Sequence, residues 1–223
     1  MHTNWTKKDW IRHCLILLAG LFVMAFGVAF SIEADLGTSP ISSVPYTVSL
    51  FSSLTVGTAT IIMHCVFIVL QILILRKKYQ PFQLLQLPVA VIFGYLTDFA
   101  IWLLRFIHCE AYWERWIVCI IGIVVIAAGV SLEVISNVVT LAGEGLSLAI
   151  CQVTPIRFGN MKILFDISLV IVACILGLVF THQIQGVREG TVAAAIFVGF
   201  LTKQMMRPYY RRLGRKTPPT PGK

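Results

Sequence analysis

Long apolar runs broken by short polar stretches fill the chain. Runs at about 12–33, 57–75, 85–105, 116–135, 159–180 and 190–206 match the ~20 apolar residues that a helix needs to cross a bilayer. Two shorter segments separate them. Residues 39–54 hold Ser39, Ser42, Ser43, Thr47, Ser49, Ser52 and Ser53 together with Pro40 and Pro45, and the segment 143–154 is shorter still. Neither suits a lipid-facing span, because backbone in hydrocarbon must satisfy its hydrogen bonds within a full helix. They are predicted to be re-entrant or broken half-helices, which leaves six full spans.

The second half of the pattern repeats the first. A shift of 102 positions superposes Gly20 on Gly122, Val23 on Val125, Ala25 on Ala127, Gly27 on Gly129, Val28 on Val130, Thr38 on Thr140, Gly57 on Gly159 and Ile61 on Ile163. The stretch around Gly94 resembles that around Gly199 at an offset of 105. Three spans per repeat is an odd number, so the second copy must insert upside down, the inverted-repeat plan of many transporters. The expected fold is thus all-α, a polytopic transmembrane bundle. Its first repeat occupies residues 1–110, its second 111–208, and a basic, proline-rich tail 209–223. A rival plan lets the short segments cross as well, giving eight spans and a parallel repeat.

Composition places the chain in a membrane: 57% of residues are hydrophobic, 13% are charged and the mean hydropathy is +0.85. A net charge of +8 raises the question of nucleic acid, but the cations sit at the ends of apolar runs. Lys7, Lys8 and Arg12 precede the first run, Arg76 to Lys78 follow another, and Arg207, Arg211, Arg212, Arg215 and Lys216 follow the last. That is the bias of cytoplasmic loops, and it puts both termini in the cytoplasm. The six cysteines lack paired spacing and, apart from Cys109 in a polar loop, read as small buried residues. The first run has the look of a signal peptide, yet its counterpart at 116–135 lies mid-chain, so it is expected to be a retained anchor. Residues 217–223 are expected to be disordered.

The motif Ala34-Asp35-Leu36-Gly37-Thr38-Ser39-Pro40 resembles one found in the YczE/YitT-related group of bacterial membrane proteins. Leu54 to Ala59, Gly94 with Asp98, and Gly190-Thr191 ahead of Gly199 also fit that group. The resemblance covers nearly the whole chain and implies a multi-pass protein of the bacterial inner membrane. Many members carry an acidic G-P-R-D-G type break in the second half. This chain has Leu141-Ala142-Gly143-Glu144-Gly145 there, keeping an acid and lacking the arginine.

Gly37, Thr38, Ser39 and Pro40 read as a helix start, with glycine for the turn, Ser39 as N-cap and Pro40 at the first helical position. Its free N–H groups, with Ser42 and Ser43, would receive an anionic or polar group, or the serines would only cap and join helices. Gly143, Glu144 and Gly145 hold the corresponding place in the second half. There Glu144 either caps a helix or binds a cation or proton. Lys162 and Asp166 fall on one helical face and can neutralise each other, as a structural pair or as part of a polar pathway. Asp98 stands in an apolar helix, and burial at mid-bilayer would cost ~2.5–3.5 kcal/mol. It is either an ion or proton relay or a solvated end group. Glu133 and Asn137 are expected to face Glu144, and Glu33 and Asp35 to be interfacial. Arg188 and Glu189 are read as paired across a loop, a solvated turn or a gate.

No metalloprotease, nucleophile-elbow or P-loop motif occurs, and the histidines lack metal-ligand spacing. The chain is therefore expected to be no enzyme, with no cofactor, metal or nucleic acid. Its expected surroundings are the lipid bilayer and a small polar or ionic solute that it transports, with a homo-oligomer left open. A channel would share these parts. The rival from another class is a non-transporting scaffold or accessory component.

Overall fold

The computed structural model describes residues 6–183 and 186–212. The end of the tail, including the stretch expected to be disordered, lies outside them. The described residues form helices α1 (Lys7–Glu33), α2 (Pro40–Phe51), α3 (Val56–Leu75), α4 (Gln86–Leu104), α5 (Tyr112–Ser136), α6 (Ala142–Val153), α7 (Phe158–Leu176) and α8 (Glu189–Arg212). No strand occurs among the described residues.

Helices α1 and α5 begin earlier than their apolar runs, for a local reason in each case. The Thr6 hydroxyl accepts from the Asp9 N–H at 3.3 Å while the Asp9 carboxylate accepts from the Thr6 N–H at 3.0 Å, a reciprocal cap that adds a polar first turn. Glu114 reaches back in the same way to the N–H groups of Glu110 and Ala111. At the other end of the chain α8 runs past 206 to Arg212, carried by Arg207, Arg211 and Arg212, good helix formers, and in spite of Pro208 within it.

Five helices are long and apolar enough to cross a membrane, α1 and α5 by themselves and α3, α4 and α7 together with their adjoining turns. The sixth expected span, α8, has the length, at 24 residues, but its C-terminal half is too polar to qualify. Helices α2 and α6 have 12 residues each. At 1.5 Å per residue that is ~18 Å, well short of a hydrocarbon core of ~30 Å.

Helices α1 and α5 form the central pair and run antiparallel. Small residues let the backbones approach closely: a Cβ on Gly20 would stand 3.0 Å from the Gly129 carbonyl, and one on Gly27 would stand 3.0 Å from the Gly122 carbonyl. Around this pair, α1 packs on α4 and α5 on α8, while α2 packs on α7 and α6 on α3. Leu17, Leu21, Met24, Val28, Phe93, Ile126 and Leu141 fill the core where these helices meet.

One end of the bundle gathers the start of α1, the turn Arg76–Lys78 and the end of α5, where His13 Nδ1 lies 2.6 Å from the Ser136 carbonyl oxygen. The opposite end gathers the end of α1 and the starts of α5 and α8.

Candidate functional site

The two half-helices begin beside each other at mid-height. The side chain of Ile41, in the first turn of α2, lies directly over the Cα of Gly143 in the first turn of α6, and Phe67 from the middle of α3 lies 3.7 Å from the place of a Gly143 Cβ. A larger residue at 143 would first displace the end of the Ile41 side chain.

The approach to α2 needs a glycine. Gly37 has φ +87°, a conformation that side chains disfavour, and it abuts the Arg188 backbone and the Thr191 hydroxyl. The Gly190 N–H donates to the Leu36 carbonyl at 2.8 Å, which ties the start of α8 to this turn. Ser39 is the N-cap and Pro40 the first helical residue, as the motif predicts, but the serine caps no N–H. Its hydroxyl donates to Ser42 Oγ at 3.1 Å, and Ser43 Oγ donates to the Pro40 carbonyl at 2.7 Å. Thr38, Ser39, Ser42 and Ser43 are all buried.

The start of α6 is capped by a carboxylate from another helix. Glu133, 2% exposed on α5, accepts the Leu141 N–H at 2.7 Å, a favourable place for negative charge at a helix N-terminus. Glu144 follows in the first turn, within electrostatic reach of Glu133, Lys162 and Asp166. Lys162 Nζ donates to Asp166 Oδ1 at 2.6 Å. The structure thus gathers four residues that the sequence offered from three separate helices. Gly145 lies against a buried amide pair, in which Gln71 Nε2 donates to Gln86 Oε1 at 2.9 Å and to the Ala142 carbonyl at 3.1 Å.

Other candidates lie elsewhere. Asp98 accepts the Gly57 N–H at 2.7 Å and the Thr55 hydroxyl at 2.6 Å, so it caps α3 and joins α3 to α4, far from the half-helix starts along the bundle. Asn137 ends α5 in the left-handed conformation, φ +50°, and Asp35 does the same after α1 at φ +51°. The expected Arg188 to Glu189 pair does not form. Arg188 instead meets the Asp35 carboxylate at 3.0 Å and its carbonyl at 2.6 Å, and Arg115 meets the same carboxylate at 2.8 Å. The helix end at Asp35 offers a carboxylate and a free carbonyl together, a stronger attraction for a guanidinium than the neighbouring Glu189 in an exposed first turn.

Sequence reasoning passed over Gln71 and Gln86. The two glutamines carry a readable signal, since amides are costly in apolar helices unless paired. His64, 1% exposed, packs edge-on to Phe67 and Phe93, and among the described residues its Nδ1 has no hydrogen-bond partner. An apolar cleft of about 350 Å³ opens between α2, α3 and α7, walled by Val44, Val48, Met63, Phe67 and Leu169. Among the described residues no group of three or more His, Cys, Asp or Glu side chains is placed to hold a metal ion.

An all-helical protein with five helices apolar enough to cross a membrane is the class that these features define. The chain belongs to a family of unknown function, DUF6198, whose pattern covers residues 11–207. No curated protein and no solved structure matches it, and the resemblance to the YczE/YitT-related group finds no support in these comparisons.

Proposed function

We propose that the chain is a transporter of a small polar or ionic solute, built from two inverted repeats, with its site at the paired starts of α2 and α6. The observation that carries this reading is an exchange of contacts. Gly20 meets Gly129 while Gly27 meets Gly122, and these four residues are counterparts at the offset of 102. Contacts that swap partners in this way are the property of a two-fold axis. Ile41 and Gly143 are also 102 apart and touch each other, so the axis passes between the half-helix starts. Paired helix starts on such an axis, with Glu144, Lys162 and Asp166 beside one of them, fit the discontinuous-helix sites of secondary transporters. The resident polar residues bind and orient solute, and motion of one repeat against the other alternates access. The positive-inside bias puts the Arg76–Lys78 end in the cytoplasm, in a bacterial inner membrane, and neither catalysis nor a cofactor is proposed.

The test uses the full chain in proteoliposomes and in cells. Cysteine introduced at Ser42, Glu144 and Asp166 in a background without native cysteines should react with a water-soluble thiol reagent. Uptake of the solute identified by comparing metabolites of cells with and without the protein should fall in Glu144→Gln. Uniform protection of all three positions overturns the reading.

A specific observation favours a second reading, a non-transporting scaffold. The serines of α2 bond to one another and to the Pro40 carbonyl, and Met63, Phe67, Leu146, Phe165 and Leu169 pack as one buried apolar cluster of α3, α6 and α7. Polar groups satisfied in this way serve packing alone.

A further inference from the structure

Two copies related by an axis make the same contacts when they are in the same state. Most pairs obey this, but one seam is present in the first half and missing from the second. Between α3 and α4, the Gly57 N–H and the Thr55 hydroxyl both donate to Asp98, and Ile61 lies over Gly94. At offsets of 102 and 105 the corresponding residues are Gly159, Arg157, Lys203, Ile163 and Gly199. These belong to α7 and α8, which do not close on each other. A Cβ on Gly159 or on Gly199 would meet nothing within 4 Å, and Arg157, Ile163 and Lys203 are exposed. A reason is visible in the charges. Where Thr55 donates to a carboxylate, the second half carries Arg157 and Lys203, two cations that would repel if α7 and α8 closed.

We infer that the protein exchanges between two states by trading these seams, an inference that rests on the two-repeat reading above. In the state seen, α3 and α4 are closed through Gly57, Gly94 and Asp98, and α7 stands apart from α8. In the other state α7 closes on α8 over Gly159 and Gly199 while α3 parts from α4. The closed seam lies at the same end of the bundle as the Asp35, Arg115 and Arg188 cluster, and the open one at the Arg76–Lys78 end. The state seen is therefore shut at one end and slack at the other. Two equivalent helix pairs in one chain, one packed and one open, already display both end points of the motion, and the bare glycines of α7 and α8 leave room for the approach. Repulsion between Arg157 and Lys203 sets the resting position.

The full chain in lipid nanodiscs tests this, with native cysteines replaced and spin labels at Asn160 and Gln204 across the open seam, or at Thr58 and Phe99 across the closed one. Lys203→Asp turns the repulsion into attraction. It should add a shorter distance between 160 and 204 and, in the companion sample, a longer one between 58 and 99. Asp98→Asn, which weakens the closed seam, should move both distances in the same directions. Shortening at 160 and 204 with no change at 58 and 99 shows independent seams and overturns the inference, as does a lack of movement in both variants. Reciprocal changes without solute uptake sink the transport reading and leave the exchange standing, whereas uptake with fixed distances does the reverse.

Discussion

Ile41, in the first turn of α2, covers the Cα of Gly143, 102 positions further along the chain in the first turn of α6. The contact is made by the end of the Ile41 side chain, which must turn aside for a methyl group at 143. Gly143→Ala should destabilise the chain in detergent by an amount at the low end of overpacking, ~1 kcal/mol. Ile41→Ala in the same chain should return part of that loss. If the two losses simply add, the residues are not in contact and the described junction is wrong.

Glycines that look alike in the sequence should respond oppositely to one substitution. At Gly27 a Cβ would stand 2.6 Å from the Ile126 backbone nitrogen, so Gly27→Ala must push α1 from α5 at a cost of ~1–3 kcal/mol. At Gly199 no atom lies within 4 Å, and alanine there should stabilise the helix by up to ~1 kcal/mol through its higher propensity. Unfolding midpoints of the two variants, measured side by side, check the sign. Equal losses would mean that α8 is packed against something at Gly199.

The Leu141 N–H depends on Glu133, which accepts it at 2.7 Å in a buried place. Glu133→Gln keeps an acceptor oxygen and should retain most of the stability. Glu133→Ala leaves a buried donor unpaired and should cost ~1–3 kcal/mol. The comparison separates a cap from a charge. A variant Glu133→Gln as unstable as Glu133→Ala would show that the negative charge matters, through Lys162 or the helix dipole, and not the hydrogen bond.

Periodicity and length were enough to reveal the helices, because a bilayer-length apolar run has few other solutions. Pro40 also marks where α2 begins, and the two short polar segments are helices of 12 residues each. Three things were hidden. The contact of Ile41 with Gly143 depends on how separate helices lean on one another, and spacing within one helix carries no trace of it. The partner of Arg188 was misjudged because Asp35 lies 153 positions away and becomes attractive only once α1 ends beside α8. Capping by Thr6 and Glu114 lengthened helices beyond their apolar stretches, since hydropathy does not register a polar first turn. Asp98 illustrates the middle case: its isolation in an apolar helix called for polar company, but only the fold shows that the company is the start of α3.

Cys109 offers a check on which way the bundle sits. It lies between α4 and α5, at the end of the bundle that holds Arg115, and burial, reinforced by the charge of Glu114, holds its thiol above its ordinary pKa of 9.0. The thiolate is the reactive form, and a raised pKa leaves less of it near neutrality. A membrane-impermeant maleimide should therefore label Cys109 from outside intact cells, slowly at pH 7, with a rate that climbs as the pH rises toward 9 and beyond. The serine variant at Cys109 should lose that labelling. Labelling that requires broken cells would place this loop on the cytoplasmic side, reverse the orientation and put the Arg76–Lys78 turn outside, against the charge bias from which the topology was argued.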